Sequence, residues 1–133
     1  MRALLISRDS HLYAELASQG AARVPPLHLA ATRASLREAL DRPEPDAPQL
    51  VIVDASGLEP LEAALLERLG RQYPGAQLML LTNQHQPDLL ITAMRAGVRE
   101  LLQLPLVHRA FHEAMDRIAT PAGVSGLREA KVL

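Results

Sequence analysis

The chain has 133 residues, a formal net charge of −1 and no cysteine. Its length suits one domain, and 48% hydrophobic with 22% charged residues is typical of a folded globular protein. The near-zero charge and the 2% aromatic content argue against nucleic-acid binding, which relies on basic patches and stacked rings. The absence of cysteine excludes disulfides and thiolate zinc sites, and no apolar run is long enough to insert into a membrane.

The N-terminal part of the chain predicts two strand–helix units. Ala3–Ser7 is an apolar first strand, and Asp9 or Ser10 is suited to cap the helix that follows. Val24–Leu29 predicts a weaker second strand, whose two prolines belong at a sheet edge or before the strand because they lack amide donors. Thr32 is predicted to cap the second helix.

The third predicted strand lies in Gln49–Ser56, after the proline-rich loop Pro43–Pro48. Its Leu-Val-Ile-Val run shows no polar alternation, which is typical of a strand buried on both faces. The run ends in Asp54. Since open α/β sheets bind ligands at the carboxyl ends of their strands, Asp54 is the first candidate functional residue.

The C-terminal half predicts three more helices and two more strands. Pro60 suits the first position of the third helix, and Gln77–Thr82 is a fourth buried strand. Pro87 or Asp88 begins the fourth helix, and Leu101–Leu104 is a short fifth strand. The apolar positions of the last helix are Val107, Phe111, Ala114, Met115 and Ile118.

Five strands alternating with five helices predict an α/β fold with a parallel sheet. Right-handed crossovers then give a three-layer α/β/α sandwich, with the strand order 2-1-3-4-5. The domain is predicted to span residues 1–119. Residues 120–133 contain Pro121, Gly123 and Gly126 without an apolar period and are interpreted as a linker or tail.

This pattern resembles the CheY-like response-regulator receiver domain, over residues 2–119. In that family an aspartate at the end of the third strand accepts a phosphoryl group, and an acid pair after the first strand helps to hold Mg²⁺. A Ser or Thr ends the fourth strand, and a Lys-Pro pair ends the fifth. The resemblance assigns the phosphoacceptor position to Asp54, the hydroxyl position to Thr82 and the proline position to Pro105.

Other positions depart from the receiver pattern. The acid pair falls on Ser7 and Arg8, with Asp9 just beyond it, and the lysine position is Leu104. The aromatic switch position is Leu101. Mg²⁺ requires several hard oxygen ligands, and phosphoryl transfer depends on fixed positive charge. The resemblance therefore implies a pseudo-receiver that is not an enzyme and has no metal or cofactor.

Two hypotheses concern the changed pocket. Arg8 either pairs with Asp54 in place of the metal, or points to solvent while Asp54 caps the following turn.

The alternative function is a working receiver that is phosphorylated on Asp54, with Asp9 serving as a surrogate metal ligand. A flavin or nucleotide enzyme on the same fold is the weakest alternative, because no glycine-rich phosphate cradle follows the first strand.

A second resemblance covers residues 86–106, with Ala93–Glu100 (Ala-Met-Arg-Ala-Gly-Val-Arg-Glu) as its core. This segment is similar to the N-terminal domain of the TadZ/CpaE family of Flp pilus assembly. Those proteins join an atypical receiver to a MinD/ParA-like ATPase and mark the cell pole. The resemblance implies a cytoplasmic, polar homodimer that binds a pilus-assembly partner, with the tail leading towards an ATPase domain.

In receivers, partners and second copies dock on the surface of the fourth helix, fifth strand and fifth helix. His108 and His112, four residues apart, are also a metal-ligand spacing, but a third ligand is missing and a solvated face is favoured. The candidate interface residues are Met94, Arg95, Arg99, Leu101, His108 and His112.

Overall fold

A computed structural model describes residues 1–56, 63–83 and 87–119 of the protein. Strands and helices alternate along these residues. The strands are β1 (Arg2–Ile6), β2 (His28–Arg33), β3 (Leu50–Asp54), β4 (Gln77–Thr82) and β5 (Val98–Gln103). The helices are α1 (Ser10–Ala21), α2 (Leu36–Asp41), α3 (Ala63–Gln72), α4 (Pro87–Arg95) and α5 (His108–Ala119).

The five strands form one parallel sheet in the order β2-β1-β3-β4-β5, which confirms the predicted topology. The register sets Leu5 beside Ile52, and Ile52 beside Met79. The carboxyl ends of β1, β3 and β4 are therefore neighbours at one edge of the sheet, where the candidate residues after these strands can meet.

Helices cover both faces of this sheet, as the apolar strands predicted. Alternate side chains of a strand point to opposite faces, so β3 sends Val51 and Val53 to the core under α2, α3 and α4. Leu50 and Ile52 contact the other core, under α1 and α5. Every residue of β3 is buried, which explains why its apolar run has no polar alternation. No helix in the described residues has the length and apolarity that a membrane span requires.

The second strand is where the sequence-based prediction was wrong. Val24–Leu29 was predicted as the strand, whereas β2 runs from His28 to Arg33. Pro25 and Pro26 precede the strand, since a proline removes a donor from the hydrogen-bond ladder. The prediction that Thr32 caps the second helix is wrong as well, because Thr32 lies inside β2.

Helix α2 begins at a different cap from the one predicted. The Ser35 hydroxyl accepts from the Glu38 amide at 3.1 Å, so Ser35 is the N-cap. The Glu38 carboxylate reaches back to accept from the Ala34 amide at 2.6 Å. This hydrogen bond lowers the pKa of Glu38, and the Arg42 guanidinium lowers it further. The two reciprocal contacts resemble a capping box, which fixes the start of a short helix.

The predicted bounds of the other elements need smaller changes. Helix α1 has Asp9 as its N-cap, as predicted, and β5 begins at Val98 rather than Leu101. Gly97 precedes β5 with a φ of +98°, a left-handed conformation that suits glycine. The predicted third-helix start at Pro60 lies outside the described residues, as does the predicted tail at residues 120–133.

Helix α1 and the strand after it approach each other closely at Gly20. The Leu27 amide donates to the Gly20 carbonyl at 3.0 Å. A Cβ atom on Gly20 would lie 2.9 Å from Leu27 Cβ and 3.0 Å from the Leu27 carbonyl oxygen. Only hydrogen fits at this position without a shift of the Leu27 backbone, so Gly20 sets how β2 leaves α1.

Gly20→Ala is therefore expected to destabilise the protein. Overpacking against Leu27 outweighs the better helix propensity of alanine, so the free energy of unfolding falls by about 1–2 kcal/mol, measured by urea denaturation. Gly75→Ala is the matched control, because a Cβ there meets no atom within 4 Å. Equal urea midpoints for the two variants would contradict the close approach at Gly20.

Candidate functional site

The candidate site lies where β3, β4 and β5 end. Asp54 is the last residue of β3 and is 8% exposed, while Thr82, the last residue of β4, is fully buried. Backbone hydrogen bonds hold these strand ends together. The Ala55 amide donates to the Leu81 carbonyl at 2.7 Å, and the Leu104 amide donates to the Thr82 carbonyl at 2.8 Å. The positions equivalent to a receiver's aspartate, hydroxyl and lysine thus meet at one edge of the sheet.

The Asp54 carboxylate is satisfied by neighbouring serines. The Ser7 hydroxyl donates to Oδ2 at 2.7 Å. The Ser56 amide and hydroxyl both donate to Oδ1, at 3.0 Å and 2.5 Å. Hydrogen bonds to a charged group are stronger than those between neutral groups. Both oxygens of this buried carboxylate therefore have hydrogen-bond donors without a cation.

Ser7 connects Asp54 to the rest of the N-terminal region. Its amide donates to the Arg33 carbonyl of β2 at 2.9 Å, so its backbone continues the sheet. Its hydroxyl donates to Asp54 and accepts from the Asp9 amide at 3.0 Å. This side chain occupies one acid-pair position of the receiver pattern. A hydroxyl there attracts the Asp54 carboxylate, whereas a carboxylate would repel it.

Asp9 is engaged in capping α1. Its Oδ1 atom accepts from the His11 amide at 2.9 Å and from the Leu12 amide at 3.2 Å. The hypothesis that Asp9 serves as a surrogate metal ligand would require this oxygen or its partner to turn towards Asp54. Among residues 1–56, 63–83 and 87–119, no group of three or more His, Asp or Glu is placed to hold a metal ion. This donor set does not fit the hard-oxygen shell of Mg²⁺.

The hypothesis that Arg8 pairs with Asp54 is wrong. Arg8 is exposed, and no ion pair among the described residues joins it to Asp54. The alternative hypothesis fits instead, because Asp54 accepts from the Ser56 amide and so caps the following turn. The physical reason is that the serines already satisfy the carboxylate, and an exposed ion pair would add little.

The lysine and aromatic positions are occupied by apolar side chains. Leu104 is half-buried against the core beneath α1 and α5, and Leu101 is half-buried against the opposite core. Pro105 is exposed beside Leu104. The chain's single lysine is Lys131, so residues 1–119 contain no lysine that could replace the missing one. The carboxyl end of β5 therefore supplies no lysine to face a phosphoryl group.

The predicted interface residues divide into two sets, one on α4 and β5 and the other made of the two histidines of α5. Met94, at 48% exposure, shares the exposed side of α4 with Arg95. Arg99 is exposed on β5, and its Nη1 donates to Gln77 Oε1 at 3.1 Å. Leu101 packs partly into the core, as described above, and contributes less surface.

The two histidines contact α1 rather than this surface. His108 Nε2 lies 2.7 Å from Glu15 Oε2. His112 Nδ1 lies 3.0 Å from Arg23 Nη1, and its Nε2 lies 2.9 Å from Gln19 Oε1. Both histidines thus join α5 to α1 within one chain. No local spacing in the sequence signals these contacts, because their partners are about ninety residues away.

The sequence also did not predict that Ser7 and Ser56 donate hydrogen bonds to Asp54. The serine two residues after Asp54 is a local signal, because an aspartate side chain often accepts from the backbone amide two positions on. No such signal marks the contact between Ser7 and Asp54, which are 47 residues apart.

The Ser7–Asp54 hydrogen bond can be tested by a double-mutant cycle. Ser7→Ala is expected to lower the free energy of unfolding by about 1–2 kcal/mol, because the Asp54 carboxylate loses a donor. In an Asp54→Ala background the same change should cost less, as measured by urea denaturation. Ser18→Ala, on the exposed side of α1, is the control. Additive effects of the Ser7 and Asp54 substitutions would refute the contact.

Two solved structures of pilus proteins are similar to this chain. A CpaE pilus assembly protein from Burkholderia thailandensis E264 is 31% identical, with a TM-score of 0.79 over 91% of this chain and 99% of the other. A pilus assembly-related protein from Burkholderia pseudomallei K96243 is 30% identical, with a TM-score of 0.71 over 89% of this chain and 88% of the other.

Receiver domains share the fold at lower identity. A CheY-like response regulator receiver domain protein from Methanospirillum hungatei JF-1 is 19% identical, with a TM-score of 0.71 over 87% of this chain and 90% of the other. No family model matches the chain, and no match was found among the curated proteins.

The receiver topology was predicted from the strand and helix pattern, and the pilus relationship from residues 86–106. The two Burkholderia chains are pilus proteins with this topology, and the match covers 99% and 88% of their own length. This chain belongs to the CpaE family of pilus assembly proteins and has the fold of a CheY-like receiver domain.

Proposed function

We propose that the chain is a non-catalytic pseudo-receiver that acts in Flp/Tad-type pilus assembly through protein–protein contacts, in the cytoplasm at the cell pole. The observation that carries the proposal is the Asp54 carboxylate, whose two oxygens accept from Ser7 and Ser56. A phosphoacceptor must instead present a free oxygen to the incoming phosphorus, next to a bound cation.

The groups around Asp54 support the same conclusion. Phosphoryl transfer depends mainly on positive charge that is already in place around the transferred oxygens. At this site the lysine position is Leu104, and Arg8 stands at an acid-pair position where its charge would repel a metal ion. The alternative function, a receiver phosphorylated on Asp54, would require a carboxylate oxygen of Asp9, which caps α1 through Oδ1, to turn towards Asp54.

Mg²⁺ with beryllofluoride, a phosphoryl analogue, tests this proposal by heteronuclear NMR. We expect no shift of the Ser7, Asp54 or Thr82 amides at millimolar Mg²⁺ that is absent from Asp54→Ala. The matched control is Arg8→Asp combined with Leu104→Lys, which restores two of the missing receiver groups and should gain such shifts. Saturable, Asp54-dependent shifts in the natural chain would overturn the proposal and favour the phosphoacceptor.

Helix α4 is the proposed contact surface. Ala93 is the buried residue of this helix, while Leu90, Ile91 and Met94 are 45%, 49% and 48% exposed. We call these three residues the α4 strip. Adjacent exposed apolar side chains of this kind typically mark an interaction site, because their burial in a contact is favourable.

A second copy of the chain is the occupant that the charges of α4 favour. Asp88 lies in the first turn of α4 and Arg95 in its last turn, and Asp88, Ile91 and Arg95 share one helical face. Two α4 helices packed antiparallel about a two-fold axis would bring the Ile91 residues together. Each Asp88 would then face the partner's Arg95. We propose that this homodimer presents the module to its pilus-assembly partner.

Ile91→Glu is expected to weaken self-association at least tenfold, measured by sedimentation velocity across a concentration series. The reason is that a carboxylate at the centre of the α4 strip would be buried without a partner. Val24→Glu is the matched control, because Val24 is an apolar residue with 94% exposure elsewhere on the surface. If Ile91→Glu associates as the natural chain does, the dimer does not use α4.

A further inference from the structure

A cavity of about 450 Å³ lies between the carboxyl end of β1, the first turns of α1 and strand β2. It is separate from the α4 strip. Its volume is in the range of small-molecule sites in proteins. Leu5, Leu29 and Ala31 give it apolar lining, while Ser10, Tyr13 and Thr32 line it with hydroxyl groups.

An irregularity in β2 accounts for part of this cavity. Ala3 pairs with Leu29, but Leu4 pairs with Ala31, so Ala30 is an extra residue in β2. Such a bulge bends a strand and changes where its side chains point, and bulges are common beside functional sites. Ala30 and Ala31 both line the cavity at this bulge.

The charges at the cavity favour an anionic ligand. Arg8 and Asp9 are the ionisable acidic and basic side chains that line it. Asp9 is engaged through Oδ1 with the first amides of α1, where its negative charge faces the positive end of the helix. Arg8 is exposed and makes no ion pair with any described residue. Arg8 is therefore a cation at the cavity that is free to pair with an acidic ligand.

We propose that this cavity binds a small anionic molecule with an apolar body. Its acidic group pairs with the Arg8 guanidinium, and its body lies against Leu5 and Leu29. Ser7 also lines the cavity, but its hydroxyl is already shared between Asp54 and the Asp9 amide. The ligand therefore binds beside the former phosphoacceptor site without contacting Asp54. The charge of Arg8 disfavours magnesium binding, and in this cavity the same charge recognises the acidic group of the ligand.

Anilinonaphthalene sulfonate, an anion with an apolar body, is a suitable probe for this site. We use the Ile91→Glu protein so that the probe does not bind the α4 strip. Titration followed by heteronuclear NMR should give saturable shifts in the amides of Arg8, Ser10 and Tyr13 and of residues 29–32. The uncharged analogue N-phenylnaphthylamine, which lacks the sulfonate, should bind at least fivefold more weakly, since it cannot pair with Arg8.

Variants separate this site from general dye binding. Arg8→Gln should weaken the probe about fivefold or more and remove the decrease of affinity with added salt. Ala30→Leu should reduce binding by filling the cavity, with its fold checked by circular dichroism. Arg68→Gln is the matched control, because Arg68 is exposed on α3, on the opposite face of the sheet. Equal affinity for both dyes, unchanged binding by Arg8→Gln, or shifts away from the cavity would overturn the proposal.

Discussion

The need to satisfy the buried charge of Asp54 determines how this end of the molecule is built. A carboxylate removed from water is costly unless it accepts hydrogen bonds or faces a cation. Here Ser7 and Ser56 supply the donors, and Ser7 also accepts from the amide of Asp9. The same contacts join β3 to the start of α1. This network is therefore also a structural tie between the first and third strands.

The receiver chemistry and the receiver fold depend on different residues. The fold rests on two apolar cores on either side of the sheet, which tolerate the loss of polar groups at the carboxyl edge. Catalysis would depend on a few charged side chains held close to Asp54, and each missing charge weakens it directly. A CpaE-type chain can thus keep the sheet and its helices as a scaffold while its active-site positions change.

The two helical layers differ in what they leave exposed. On one side, Arg23 bonds to His112 and Asp116, and His108 bonds to Glu15, so polar contacts join α1 to α5. On the other side, α4 keeps an apolar strip in solvent. The cavity beside β2 is a third feature, formed by small residues and a bulge at an edge strand. Surfaces of this kind suit the interaction module proposed above.

The sequence by itself determined the α/β class, the strand order and the place of Asp54 at the end of β3, because apolar periodicity and strand length are local properties of the chain. It misplaced β2, where two prolines obscured the strand start. Only the tertiary structure decided that Ser7, rather than Arg8, bonds to Asp54. That choice depends on which side chains two distant strands bring within hydrogen-bond distance, and no local pattern in the sequence records it.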